Sequence, residues 1–205
     1  MRNKKKGITL IELIITLSLT AIILGVIYTF FITNTKSLSK IELNSELQTE
    51  AQNIQKEFLN YFTQSEGIEE INNNKITESN KLEYGSILGS EDKLEINNIK
   101  FKIKNNYFQF SFNKSSGILS LKSFDKYGNE INIDGLPKVL SKNVKEFKIR
   151  PLDIRNNPNG NFKESTGIEI LLTLTKKKGY SEVETPSSLI VKFRNKKDYR
   201  EEALF

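Results

Sequence analysis

Residues 1–35 read MRNKKKGITLIELIITLSLTAIILGVIYTFFITNT, and most of the architecture follows from them. Arg2, Lys4, Lys5 and Lys6 precede Gly7, and the single acid Glu12 follows. From Leu13 to Thr35, 23 residues pass with no acid or base, Tyr28 apart. About 20 apolar residues in a helix span the hydrocarbon core of a bilayer. The basic residues ahead of the run hold that end in the cytoplasm. Lys36 and Lys40 lie on the far side, with Glu42 and Glu46 close behind. A secretory signal peptide needs a short apolar core and a small-residue cleavage site after it. This run is too long, and YTFFITNTKS offers no Ala-x-Ala pattern. A plain anchor with its N-terminus inside is the stronger alternative, and Glu12 is the residue that argues against it.

Outward from the run, Lys36 to Gln64 reads as a second helical stretch. Leu38, Ile41, Leu47, Ala51, Ile54, Phe58 and Tyr61 or Phe62 recur at helical period, with polar residues on the other face. Neither Gly nor Pro interrupts it, and Gly67 is the stop signal. The simplest reading is one helix from about Thr9 to about Gln64. At ~1.5 Å per residue it is ~80 Å long. Its first half is apolar all round; its second half has one stripe that needs a partner.

Residues 68–95 are polar and read as a loop, with a short element at Leu82 to Leu88. Strand patterns follow. Ile99, Phe101 and Ile103 alternate with lysines, and Phe108, Phe110 and Phe112 with polar residues. NKSSG at 113–117 turns the chain into ILSLKSF, a hairpin. Asp125 to Asn129 is a turn, and Val144 to Ile149 a strand closed by Pro151. A loop covers 156–160. Ile168, Ile170, Leu172 and Leu174 form a further strand; Leu189, Val191 and Phe193 form the last, ending at Arg194 and Asn195. Short strands joined by turns imply an antiparallel sheet. The expected class is α+β, a long helix packed on a β domain. The expected partition is leader 1–7, membrane helix 8–35, amphipathic helix 36–66 and β-rich head 67–205.

The composition agrees. The chain has 205 residues with 31 Lys and Arg against 25 Asp and Glu, a formal charge of +6. Four of the basic residues lie in the leader, which leaves 27 against 25 elsewhere. Basicity is therefore local to the leader and is no argument for nucleic-acid binding. Cys, His and Trp are absent. That removes disulfides, thiolate metal sites and the commonest general base, so no catalytic pair suggests itself. No enzymatic activity and no cofactor is expected. Asp125, Asn129 and Glu130 offer oxygens of the kind Ca²⁺ takes, but at a spacing that fits a solvated turn better. Lys176, Lys177 and Lys178 before Gly179 read as a charged hairpin tip, with phosphate contact as the lesser alternative.

Glu12 is the residue to explain. A carboxylate one turn into a membrane helix costs a few kcal/mol if buried and unpaired. An ammonium brought beside it, in its own chain or from a neighbouring copy, neutralises the acid in an apolar bundle. The pairing selects one stagger between helices. An acid in the first turn also complements the helix dipole. Gly25 either loosens the helix or permits close packing, and packing is the better reading.

The segment KKKGITLIELIITLSLTAIILG resembles the N-terminal signature of type IV prepilins and type II secretion pseudopilins. Lys4, Lys5, Lys6, Gly7, Thr9, Leu10, Ile11 and Glu12 match that signature; Ile8 stands where Phe is usual. The resemblance implies cleavage after Gly7 by a prepilin peptidase and methylation of the Ile8 amine; that cut would remove four positive charges and expose, four residues before Glu12, the amine that pairs with it. It also implies assembly with other pilin subunits through Glu12 and the apolar helix, by the pilus assembly machinery. Such a protein is a single-pass membrane protein before assembly and part of an extracellular filament afterwards. VKEFKI, GIEILLTLTKKKG and SSLIVKFRN also look like the closing strands of minor pilins of the PilW and J-type pseudopilin kind. The expected function is a structural subunit, of the minor pilin or pseudopilin kind, of a type IV pilus-like filament. The alternative is a competence-type pseudopilin that binds DNA through the lysine-rich hairpin.

Overall fold

The structure, a computed structural model, describes residues 8–88, 92–133 and 135–194. Arg2, Lys4, Lys5, Lys6, Gly7 and Asn195 lie outside the described residues.

One helix, α1 (Leu10–Phe62, 53 residues), dominates the chain. No Pro occurs in it, and it runs unbroken through Gly25, its one glycine. A glycine there costs about 1 kcal/mol relative to Ala, which flanking apolar residues of good helix propensity absorb. The hydroxyls of Thr16, Ser18, Thr20, Thr29, Thr33 and Thr35 each donate to the carbonyl four residues earlier, at 2.8–2.9 Å. Every Ser and Thr of the apolar half is thus satisfied inside its own helix, which is what a segment away from water needs. At the far end the Thr63 amide bonds the Leu59 carbonyl, and Gly67, at φ 142°, turns the chain away.

Eleven strands and one short helix follow in the described residues. They are β1 (Ile68–Ile71), β2 (Asn74–Lys75), α2 (Tyr84–Ile87), β3 (Leu94–Glu95), β4 (Asn98–Ile103), β5 (Asn106–Asn113), β6 (Ile118–Phe124), β7 (Glu130–Ile131), β8 (Lys138–Ser141), β9 (Val144–Pro151), β10 (Gly167–Lys178) and β11 (Ser181–Lys192). All pairings are antiparallel. One sheet has the order β2-β1-β4-β5-β6-β7, with β8 also on β6. The other has the order β11-β10-β9-β3. The chain passes between them at Ile96 and Asn97, where the Ile96 amide bonds Phe147 O and Asn97 O accepts from the Phe112 amide.

Both sheets close on the second half of α1. Leu43, Leu47, Ala51, Ile54, Phe58 and Phe62 are buried at steps of three and four. Phe58 lies 4.3 Å from Phe110 between ring centres, and Phe62 4.5 Å from Phe101 and 5.4 Å from Phe110. Aromatic pairs of this kind add about 0.5–1.5 kcal/mol each beyond their burial. Gly167 sits where β10 passes β11 so closely that a Cβ would stand 2.3 Å from Val191 O. Gly117, at φ +67°, closes the β5–β6 hairpin against the Lys142 and Val144 carbonyls.

The long helix and its antiparallel β partner match the sequence reading, with three corrections. Leu38 and Ile41 are each 66% exposed, and Leu43 is the first residue the head covers. At ~100° per residue, Leu43 shares an arc with Leu47 and Ile54, whereas Leu38 and Ile41 stand ~140° and ~160° from it around the helix, on the face turned away from the sheets. Residues 68–95 hold more than a loop: the short element read at Leu82 to Leu88 is α2 and the chain between β2 and α2 is irregular, but β1, β2 and β3 take 68–71, 74–75 and 94–95. Asn72 and Asn73, at φ 49° and 66°, form a two-residue turn between Ile71 and Asn74, the geometry a tight hairpin favours. The alternating signal was lost because β1 is four residues long, IEEI, and buries only its two ends. The last strand begins at Ser181, eight residues before Leu189, and carries Pro186 inside it. β11 is a sheet edge, where a missing amide donor is tolerated.

Candidate assembly site

The first turn of α1 is a capping box. Thr9 has extended backbone (φ −77°, ψ 154°) and its Oγ1 accepts from the Glu12 amide at 3.3 Å. Glu12 Oε2 in turn accepts from the Thr9 amide and the Thr9 hydroxyl, both at 2.8 Å. A helix start leaves its first amides without partners, and a Thr-x-x-Glu pair satisfies two of them reciprocally. Glu12 therefore has neutral hydrogen-bond partners within the single chain, a feature the search for a counter-ion overlooked. The signal was present in the Thr9-Leu10-Ile11-Glu12 spacing. These bonds engage Oε2 alone; among the described residues Oε1 accepts none.

Beyond the cap, the large apolar side chains from Leu10 to Phe31 are 53–76% exposed. The most apolar 18-residue window of α1 buries none of its residues against the rest of the chain. The helix is long and apolar enough to cross a membrane. Ile8, 80% exposed, stands directly before the cap. An apolar surface of this size on one rod requires lipid or other rods around it.

Where the rod meets the head, polar pairs clamp it. Lys178 Nζ lies 2.9 Å from Glu42, Lys176 Nζ 2.7 Å from Glu46, and Lys138 Nζ 2.6 Å from Glu57. Asn143 Nδ2 donates to Glu50 at 2.8 Å, and Gln55 Nε2 to Ser187 at 2.7 Å. The bond from Lys176 holds the Glu46 carboxyl below its usual range; the bond from Glu46 holds the Lys176 ammonium above its own. The three lysines at 176–178 thus lie in β10 itself, and two of them face α1 rather than solvent partners. Sequence reading missed these pairs because their acids lie 130 and 136 residues away.

The other candidates serve turns. Asp125 Oδ1 accepts from the Tyr127 and Asn129 amides at 2.8 Å, and Oδ2 from Asn129 Nδ2 at 3.0 Å, so this carboxylate organises its own loop. Those bonds, the one from Asn129 first, hold it below the usual carboxylate range. Glu130 pairs with Lys122 at 2.9 Å. Among the described residues no three acids converge as a metal site would require.

An exposed apolar rod with a capped acid at its tip, carried on a two-sheet head, defines an α+β protein of the pilin-like class. Residues 2–28 match the family described as the prokaryotic N-terminal methylation motif. That match supports a relation to type IV pilins and pseudopilins, and the arrangement of helix and sheets is pilin-like. No curated protein and no solved structure matches it.

Proposed function

We propose that this protein is a structural subunit, of the minor pilin or pseudopilin kind, of a type IV pilus-like filament. The observation that carries the reading is the division of α1. Its second half is built into the head, while its first half is covered by none of the described residues yet bears the methylation motif. In this reading residues 1–7 are the leader that a prepilin peptidase removes, with Lys4, Lys5 and Lys6 holding it in the cytoplasm and Gly7 preceding the cut. Residues 8–35 cross the membrane, 36–66 join rod to head, and the head faces outward. The freed amine of Ile8 takes the methyl group.

Glu12 then serves two ends. Oε2 caps the helix, and Oε1 remains for an ammonium, that of Ile8 in the same chain or in the next. Charge neutralisation in an apolar bundle rewards one stagger and penalises others, because a wrong stagger buries both charges unmatched. DNA uptake has weaker support, since Lys176 and Lys178 are held by Glu46 and Glu42. The pilin class is structural, and no catalytic role is assigned here.

Two measurements test this. Intact mass of the membrane form, with a prepilin peptidase co-expressed, should show loss of the first seven residues and gain of one methyl group. Persistence at full length beside an active peptidase would reduce the protein to a tethered surface domain. Glu12→Leu and Glu12→Gln should both leave the head folded and both fail to enter filaments. Gln keeps the capping geometry but not the charge, so normal assembly of Glu12→Gln would defeat the charge-pairing account.

A further inference from the structure

The end of the head nearest the membrane carries a feature that assembly does not explain. β10 and β11 are joined by Gly179 and Tyr180, and Tyr180 is 98% exposed, more than any other large hydrophobic side chain described. The ion pairs fix its height. Lys176 reaches Glu46 and Lys178 reaches Glu42, so two strand residues advance toward the N-terminus of α1 as four helix residues do. The rises agree, at about 7 Å for two strand residues and about 6 Å for four helix residues. The two-residue turn of Gly179 and Tyr180 carries the tip one strand rise, ~3 Å, beyond Lys178, level with Lys40 between Leu38 and Ile41.

Leu38 and Ile41, the apolar residues that the head leaves uncovered, lie at that same height. Thr35 ends the uncharged run five residues before Lys40, about 7.5 Å along the axis. The headgroup layer is about 5–8 Å thick on each side of the hydrocarbon. The tip therefore stands at the height of the lipid headgroups when α1 spans a bilayer. Its charge suits an anionic surface. Lys36, Lys40, Lys177 and Lys178 surround it, against Glu42, which pairs with Lys178, and Glu182, which faces Lys177 across the ladder. Four cations against two acids leave two in excess. An aromatic ring with a polar tip, flanked by lysines and lying beside a spanning helix, is the composition that settles at a membrane–water interface.

We propose that the β10–β11 hairpin tip, with Leu38 and Ile41, rests on the headgroup surface of an anionic membrane before assembly. It forms a second contact that fixes the tilt of the head over the bilayer. The partner is the lipid surface itself. The inference rests on the membrane-spanning reading of α1, and its test separates the two.

The chain contains no Trp, so a single introduced Trp reports alone. Tyr28→Trp, Tyr180→Trp and Tyr127→Trp are each reconstituted as the full chain in phosphatidylglycerol-rich vesicles whose lipids carry bromine high on the acyl chains. Tyr28→Trp reports insertion. Tyr127, in the exposed β6–β7 turn beyond the opposite end of the head, is the control. Tyr28→Trp and Tyr180→Trp should each lose about half their emission, as a ring in or at the interface would, while Tyr127→Trp keeps its own. Lys177→Glu in the Tyr180→Trp background should cut that quenching about twofold in anionic vesicles and leave it unchanged in zwitterionic ones. Quenching of Tyr28→Trp without Tyr180→Trp overturns the inference and leaves the membrane reading intact. Absence of both overturns both. A Tyr180→Trp emission that is unquenched in vesicles but shifts on filament formation assigns the tip to a neighbouring subunit and overturns the inference.

Discussion

Leu10–Phe31 and Leu43–Phe62 belong to one uninterrupted helix, with the same backbone bonds and opposite surroundings. In the first, the large apolar side chains are exposed on every side. In the second, six residues are buried and the intervening positions carry acids and amides that bond the head. The difference is one of pattern and not of propensity. An apolar surface all round can be covered only by lipid or by several like helices, whereas a single stripe is covered by one sheet face. Head stability should therefore depend on the second half alone, and assembly on the first.

The strongest test removes a ring at the centre of the head. Phe58→Ala should cost ~3–5 kcal/mol by the usual scale for buried aromatics, read by chemical denaturation of the full chain in detergent. Phe31→Ala should leave that transition where it was, although it removes a ring of the same size. A common loss would show that the two halves are one cooperative unit.

Gly167→Ala probes the head at its closest strand approach. A methyl group 2.3 Å from Val191 O forces β10 and β11 apart, at ~1–3 kcal/mol by overpacking precedent. Gly25→Ala, where a Cβ meets nothing within 4 Å, should leave the head unchanged.

Tyr84 offers a finer probe. It is fully buried and its hydroxyl donates to Asp153 Oδ1 at 2.8 Å, with Ser165 Oγ donating to the same oxygen at 3.3 Å. Burial first, and Asp153 beside it, push the phenol far above its ordinary range. Tyr84→Phe should cost about 1–2 kcal/mol, the loss expected when a buried acceptor gives up one donor. A shift as large as that of Phe58→Ala would mean that the site is a keystone of the head.

The smallest effect belongs to the rod-to-head clamp. Glu46 is depressed below its ordinary value of 4.5, so its contribution is present above that pH and lost as pH falls through the folded value. Lys176 is raised above 10.5, so its contribution is present below that pH and lost as pH rises beyond it. Lys176→Ala should accordingly lower the unfolding midpoint slightly at pH 7, and by progressively less as the pH falls below 4.5. Exposed pairs contribute little, and an effect rivalling Tyr84→Phe would show the clamp to be cooperative with its neighbours.

The accuracy of the sequence reading varied along the chain for physical reasons. Phe108, Phe110 and Phe112 were legible as a strand because one face is buried and the other wet over eight residues. β1 was illegible because four residues hold barely one period and Asn72-Asn73 was read as mere polarity. At the candidate site, Glu12 and the apolar run were plain. The capping role of Thr9 was readable from spacing and was missed. The Glu42 and Glu46 pairs could not be read, because nothing local marks a partner more than a hundred residues away.

Local chemistry determined the rod. Charge, apolar length, the absence of proline and the Thr9–Glu12 spacing act within a few turns, and they define both the helix and its need for lipid or like helices around it. Tertiary structure alone decided where that rod stops being free. Leu38, Ile41 and Leu43 are equally apolar and lie within two turns, and only the arrival of β10 and β11 on the face that carries Leu43 separates the covered one from the bare two. Burial is a property of what arrives from elsewhere in the chain, and a periodic pattern carries no record of it.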